Sequence, residues 1–101
     1  MSKKTYVYNN ETVELILDNY LDNGNTAVIL KSECGDTDVI SVNITWLMPG
    51  TFTADTNNHP DIEKFLTENH IAHRCGGAIP SGFCTYPIYM LEESLMDEIQ
   101  A

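Results

Sequence analysis

His70, His73, Cys75 and Cys84 place two imidazoles and two thiols within fifteen residues, a donor set that tetrahedral zinc prefers. Neutral imidazole and thiolate suit a borderline-soft ion, and a closed shell of four such ligands staples a loop that has no core of its own. The expectation from these residues is a structural zinc, with Cys34 and His59 as spare ligands. A structural role fits better than a catalytic one. Catalytic zinc keeps an open position beside a general base, and although Glu68 is nearby, nothing in the sequence marks a substrate pocket. The spacing departs from the familiar zinc-finger patterns, so another reading stands beside it: the histidines are exposed loop residues, and Cys75 and Cys84 are small hydrophobes.

Other chemistries are less well supplied. A nucleophilic thiol needs an electropositive, accessible setting, whereas Cys84 falls in an apolar run between Phe83 and Tyr86, with Arg74 as its one nearby cation in the sequence. Asp55-Thr56-Asn57-Asn58 offers oxygen ligands but lacks the spacing and terminal glutamate of a calcium loop, so turn formation and capping explain it better. Gly76-Gly77 is followed by no lysine and fails as a phosphate loop. Trp46, Tyr6, Tyr8, Tyr86 and Tyr89 could stack bases, but they read as core and sheet-face residues because the molecule's charge opposes nucleic acid.

That charge is the dominant property of the chain. Fifteen Asp and Glu stand against five Lys and Arg, a formal net charge of −10. Such a field repels nucleic acid and anionic membrane, so an electrostatically steered partner is a basic protein surface or a cation. Asp18, Asp22, Glu33, Asp36 and Asp38 fall at or beside expected hairpin ends. Glu92, Glu93, Asp97 and Glu98 line an expected terminal helix, and no base follows Arg74. Gathered on one face, these carboxylates stand in for nucleic-acid phosphates on a basic groove. Scattered, they do no more than keep a small protein dissolved.

The elements that must position these groups follow from patterning. At 101 residues and 43% hydrophobic, the chain is expected to form one globular domain spanning 1–101. No apolar run approaches the roughly 18 residues of a membrane helix, and the lysines near the start precede no signal-peptide core. A soluble, cytoplasmic protein is expected, with its three cysteines as thiols or metal ligands. Alternation predicts strands over 5–9, 12–17, 26–32 and 38–46, the last with Ile40, Val42, Ile44 and Trp46 inward. Turns fall at Asn9-Asn10, at Asp22-Asn23-Gly24-Asn25 and at Cys34-Gly35-Asp36. A loop from Met48 leads to a helix capped by Asn58, with Pro60 in its first turn. Ile62, Phe65 and Leu66 form its buried stripe, and Ile71 folds back where it stops, near Asn69-His70. A glycine-rich connection over 76–82 precedes an aromatic strand over 83–89, in which Pro87 demands an edge or a bulge. A short acidic helix over 91–99 closes the chain. The predicted fold is α+β: an antiparallel sheet of four to five strands with one packed helix and a short C-terminal helix, in the order ββββ-α-β-α.

Asp55-Thr56-Asn57-Asn58, the helix ending in Glu68-Asn69, and Ser81-Gly82-Phe83-Cys84-Thr85-Tyr86-Pro87 with Tyr89 resemble a small family of unknown function from Firmicutes and their phages and conjugative elements. The likeness spans about the last half of the chain and, more loosely, the strands before it. It departs at His70, where relatives carry a helix-stop glycine. The resemblance implies a mobile-element setting and attaches no reaction to the motifs. By analogy with small acidic counter-defence proteins, such as anti-CRISPR and anti-restriction factors, it implies a non-enzymatic binding protein of the bacterial cytoplasm. Such a protein occupies a basic surface of a host nucleic-acid enzyme, a Cas9-type or restriction nuclease, and blocks DNA loading. The alternatives are a zinc-binding accessory or scaffold protein and a thiol or zinc enzyme.

Overall fold

Asn9 and Asn10 both take positive φ, 52° and 63°, the backbone of a type I′ turn whose twist matches the strands it joins. The turn links β1 (Thr5–Tyr8) to β2 (Glu11–Asn19) and sets the register with Tyr8 opposite Glu11. The computed structural model describes residues 5–21, 23–45, 47–48 and 50–95. β3 (Thr26–Ser32) and β4 (Thr37–Val39) extend the meander, so the first sheet runs β1-β2-β3-β4, antiparallel throughout.

The strand expected over 38–46 breaks at Ile40. Its N–H donates to the Val28 carbonyl at 2.9 Å, and its own carbonyl accepts from the Asp55 N–H at 2.9 Å. One segment of chain therefore leaves the first sheet at β4 and enters the second as β5 (Ser41–Val42), as corner strands do where two sheets meet. There β5 pairs with β6 (Thr51–Ala54). The second sheet has the order β5-β6-β8-β7, with β7 spanning Ala72–Ser81 and β8 spanning Cys84–Leu91. Helix α1 (Ile62–Glu68) buries Ile62, Phe65 and Leu66. The α+β class is as expected, but the strands form two four-stranded sheets rather than one.

Two elements escaped the sequence pattern for physical reasons. All four residues of β6 are buried, so a strand covered on both faces shows no alternation to read. β7 holds Gly76 and Gly77, which look like a connection. They instead lie within the register shift against β8, between Arg74 and Ala78. Pro87 sits opposite Ala78 at the end of that irregularity and one residue beyond the last pair with β6, so its missing N–H breaks no ladder on that side. Phe83 belongs to the turn between β7 and β8, not to the strand.

At the helix start the expected cap is corrected. Asp61 occupies the cap position without a side-chain bond, while Asn58 is held in the preceding turn by both oxygens of Asp55, at 3.2 and 2.9 Å. The helix stop is as anticipated. His70 takes φ 55°, its N–H reaches the Thr67 carbonyl, and the Ile71 N–H reaches the Leu66 carbonyl. This is a Schellman closure with Ile71 folded onto the core. Fully buried Phe52, Ile40, Ile62, Leu66, Ile71 and Leu91 tie both sheets to the helix, each burial worth about 1.5–3 kcal/mol. Leu91 ends β8 rather than opening a helix, and a single helical turn covers 93–95. The remainder of the expected terminal helix, and Trp46, lie outside the described residues.

Candidate functional site

The four expected zinc ligands do not converge. His70 is exposed at the helix stop, and His73 lies on β7 with its Nδ1 3.1 Å from Glu92 Oε2. Cys75 falls in the irregular part of β7, while Cys84 starts β8 opposite Ser81. Cys84 is thus at the far end of the hairpin, roughly 13 Å of strand from the part of β8 facing Cys75. A zinc ion reaches sulfur at about 2.3 Å. Among the described residues no group of three or more His, Cys, Asp or Glu is arranged to hold a metal. Cys34 is exposed in the β3–β4 turn, and His59 approaches Tyr8 instead. The Cys84 thiol is hydrogen-bonded to Tyr86, which pushes the Tyr86 phenol up, with burial and the neighbouring thiol charge adding to the effect.

The acids divide into separate groups. Asp18 pairs with Ala27 near the end of β2. Glu33 lines a shallow hollow with Glu14 and Lys31. Glu92 engages His73, Glu93 is exposed, and Asp22, Asp97 and Glu98 lie outside the described residues.

Asp36 and Asp38 behave differently, because strand register brings them to further carboxylates. Directly opposed residues on neighbouring strands point to the same face, as do residues two apart. Tyr8 opposite Glu11, Tyr6 opposite Val13, Leu15 opposite Leu30 and Leu30 opposite Asp38 therefore share the face turned toward the helix. Tyr8, Asn9, Glu11, Ser32, Asp36 and Asp38 line one hollow there. A second hollow shares Tyr8 and Asn9 and adds Asp61, Lys64 and Glu68 from the helix.

Tyr8 is the hinge of this arrangement. Its ring meets Phe65 edge-on at 4.8 Å, and its hydroxyl donates to Asp61 Oδ1 at 2.9 Å, with His59 Nδ1 at 3.5 Å. Burial, followed by the hydrogen bond and negative charge of Asp61 and then the charge of Asp38, pushes its phenol up to about 12. Tyr8 thus stays neutral and donating, and it pins the start of α1 to the β1–β2 turn. Glu11, Asp36, Asp38, Asp61 and Glu68 surround it with Lys64 as the cation among the residues lining the two hollows. Sequence reasoning missed Glu11, Asp61 and Glu68 as members and read Tyr8 among the core and sheet-face residues. The available signal was the Asn9-Asn10 turn, whose geometry places Glu11 beside Tyr8.

A buried polar network holds the far end in place. Asn25 donates to Asn43 Oδ1 at 2.9 Å and to the Thr45 carbonyl at 2.6 Å, and it accepts from the Leu47 N–H at 2.9 Å. On the other side of the helix, Tyr89 donates to Glu63 at 2.8 Å and Arg74 reaches the same oxygen at 3.4 Å. These bonds are structural. The bonds of Tyr89 and Arg74 to Glu63 tie α1 to β8 and β7, and with it Asp61.

No helix among the described residues is long and apolar enough to cross a membrane. No curated protein and no solved structure matches the chain. A family model matches over residues 12–101, beginning in β2 and so taking in the rest of the first sheet without β1, the whole of the second sheet, the helix and the motifs of the last half. The chain belongs to the family described as Domain of unknown function (DUF4313).

Proposed function

We propose that this chain is a non-enzymatic acidic binding protein that docks its Tyr8-centred face on a basic, nucleic-acid-binding surface of another protein. The observation that carries the reading is the convergence of Glu11, Asp36, Asp38 and Asp61 around Tyr8, beside the β1–β2 turn and the start of α1. Carboxylates held at fixed positions by strand register and a helix start complement a basic groove with little ordering cost on binding. The target class is a nuclease of the Cas9 or restriction type, and the protein is an inhibitor carried by a phage or another mobile element. Occupying the groove prevents DNA from loading. Zinc has no part in this reading.

The test is competition. A guide-loaded Cas9 and a restriction endonuclease are each titrated with the protein, and DNA binding and cleavage are followed at several salt concentrations. Inhibition of at least one, relieved by excess DNA and weakening as salt rises, supports the proposal. Absence of binding to both at every salt concentration removes it.

A further inference from the structure

Among the asparagines of the chain, Asn23 alone precedes a glycine. An Asn-Gly pair carries its own reaction. The backbone nitrogen after the asparagine is a nucleophile within reach of the side-chain amide, and glycine has no side chain to crowd the attack. A Cβ built on Gly24 meets nothing within 4 Å, so no neighbour among the described residues crowds that side of Gly24 either.

The reaction balances with water as its one co-reactant. The Gly24 nitrogen gives up its proton and bonds to Asn23 Cγ, the amide nitrogen leaves with that proton as ammonia, and a five-membered imide remains. Water then opens the imide at either carbonyl, leaving aspartate or isoaspartate.

The fold holds both reacting groups. The Gly24 N–H donates to the Tyr20 carbonyl at 2.9 Å, and the Gly24 carbonyl accepts from Asn19 Nδ2 at 3.0 Å. Asn23 Oδ1 accepts from the Asn25 N–H at 3.1 Å, and Asn23 Nδ2 donates to Asn43 Oδ1 at 3.1 Å. Ring closure removes the proton that Gly24 donates and expels the nitrogen through which Asn23 donates. The bonds to Tyr20 and Asn43 must therefore break first, and the rate follows local opening of this turn.

The product does not fit the network. Asn43 Oδ1 accepts from Asn23 and also from Asn25 Nδ2, the latter at 2.9 Å, and Asn25 is buried. A carboxylate at position 23 sets acceptor against acceptor. Turning the Asn43 amide to meet it takes the acceptor from Asn25 instead, so one bond is lost either way, and a buried group left without a partner is costly. Asn25 also holds Thr45 and Leu47, so the loss loosens their anchor. The β2–β3 turn lies at the opposite end of β2 from Tyr8, which makes the site separate from the acidic face.

We propose that Asn23 is a site of spontaneous deamidation, held closed by the hydrogen bonds of the β2–β3 turn, and that its product breaks the Asn25–Asn43 network. Native protein and chain unfolded in guanidinium chloride are incubated at neutral pH and compared by peptide mapping that resolves aspartate from isoaspartate. Expected in the unfolded chain is conversion at Asn23 ahead of every other asparagine, and in the native protein a rate at least about tenfold slower. Asn43→Ala, which removes the acceptor for the amide, speeds conversion in the folded protein about threefold or more, while Asn43→Asp, which keeps an acceptor there, stays slow. Asn23→Asp, one of the two products, lowers the melting temperature. The comparison of native with unfolded chain needs no variant, so it decides the matter even where Asn43→Ala fails to fold. Asn23 converting no faster than other asparagines when unfolded, or equally fast folded and unfolded, overturns the proposal. So does a folded Asn43→Ala protein as slow as the native one, an Asn43→Asp protein as fast as Asn43→Ala, or an Asn23→Asp protein that melts with the native one.

Discussion

His70 shows how a residue that invites a chemical reading can be explained by backbone geometry. It occupies the left-handed position of a helix stop at φ 55°, a conformation that costs a side-chain-bearing residue roughly 1–2 kcal/mol. His70→Gly is therefore expected to raise stability by about 1 kcal/mol, seen as a higher melting temperature. A ligand role for His70 demands a fall instead. Tyr8 and Tyr89 make a second prediction at this scale. Burial, reinforced by Asp61 and Glu63 respectively, raises each phenol from 10.0 to about 12 in the folded state. Below pH 10 both folded and unfolded chains hold these protons, and the stabilisation is fully present. Between pH 10 and about 12 the unfolded chain releases its protons first, so stability declines through that window. Urea midpoints against pH should show the decline, and Tyr8→Phe or Tyr89→Phe should each make it shallower.

The hairpins were legible among the elements because Asn9-Asn10 and Gly35 announce tight turns and the strands beside them alternate. The helix was legible from Ile62, Phe65 and Leu66. What could not be read was the division into two sheets, which depends on a single residue. Ile40 looks like any inward position of a long strand, yet it carries the chain from one sheet to the other and is fully buried. Ile40→Ala should cost about 2–5 kcal/mol, measured as a lowered denaturant midpoint. A loss well under 1 kcal/mol would contradict its role as the joint between the sheets. The candidate site was half legible for the same reason. Asp36 and Asp38 stood out as acids near a turn, but Asp61 joins them only because the helix packs across the sheet and Tyr8 reaches it. That contact spans more than fifty residues of chain, with |i−j| = 53.

For the whole molecule, the net charge of −10 was plain from composition, but its distribution was not. The fold gathers one set of carboxylates around Tyr8 and leaves others dispersed, while the stretch from Cys75 to Leu91 carries no charged side chain. The central claim, that the Tyr8-centred face is the binding surface, is tested most directly by the salt dependence of affinity for a guide-loaded Cas9 or a restriction endonuclease, measured for the native protein and for a D36K/D38K/D61K variant. The account predicts native affinity that falls steeply as salt rises, and a variant at least about tenfold weaker with a flatter salt dependence. Equal affinity and equal salt dependence for the two proteins would contradict it.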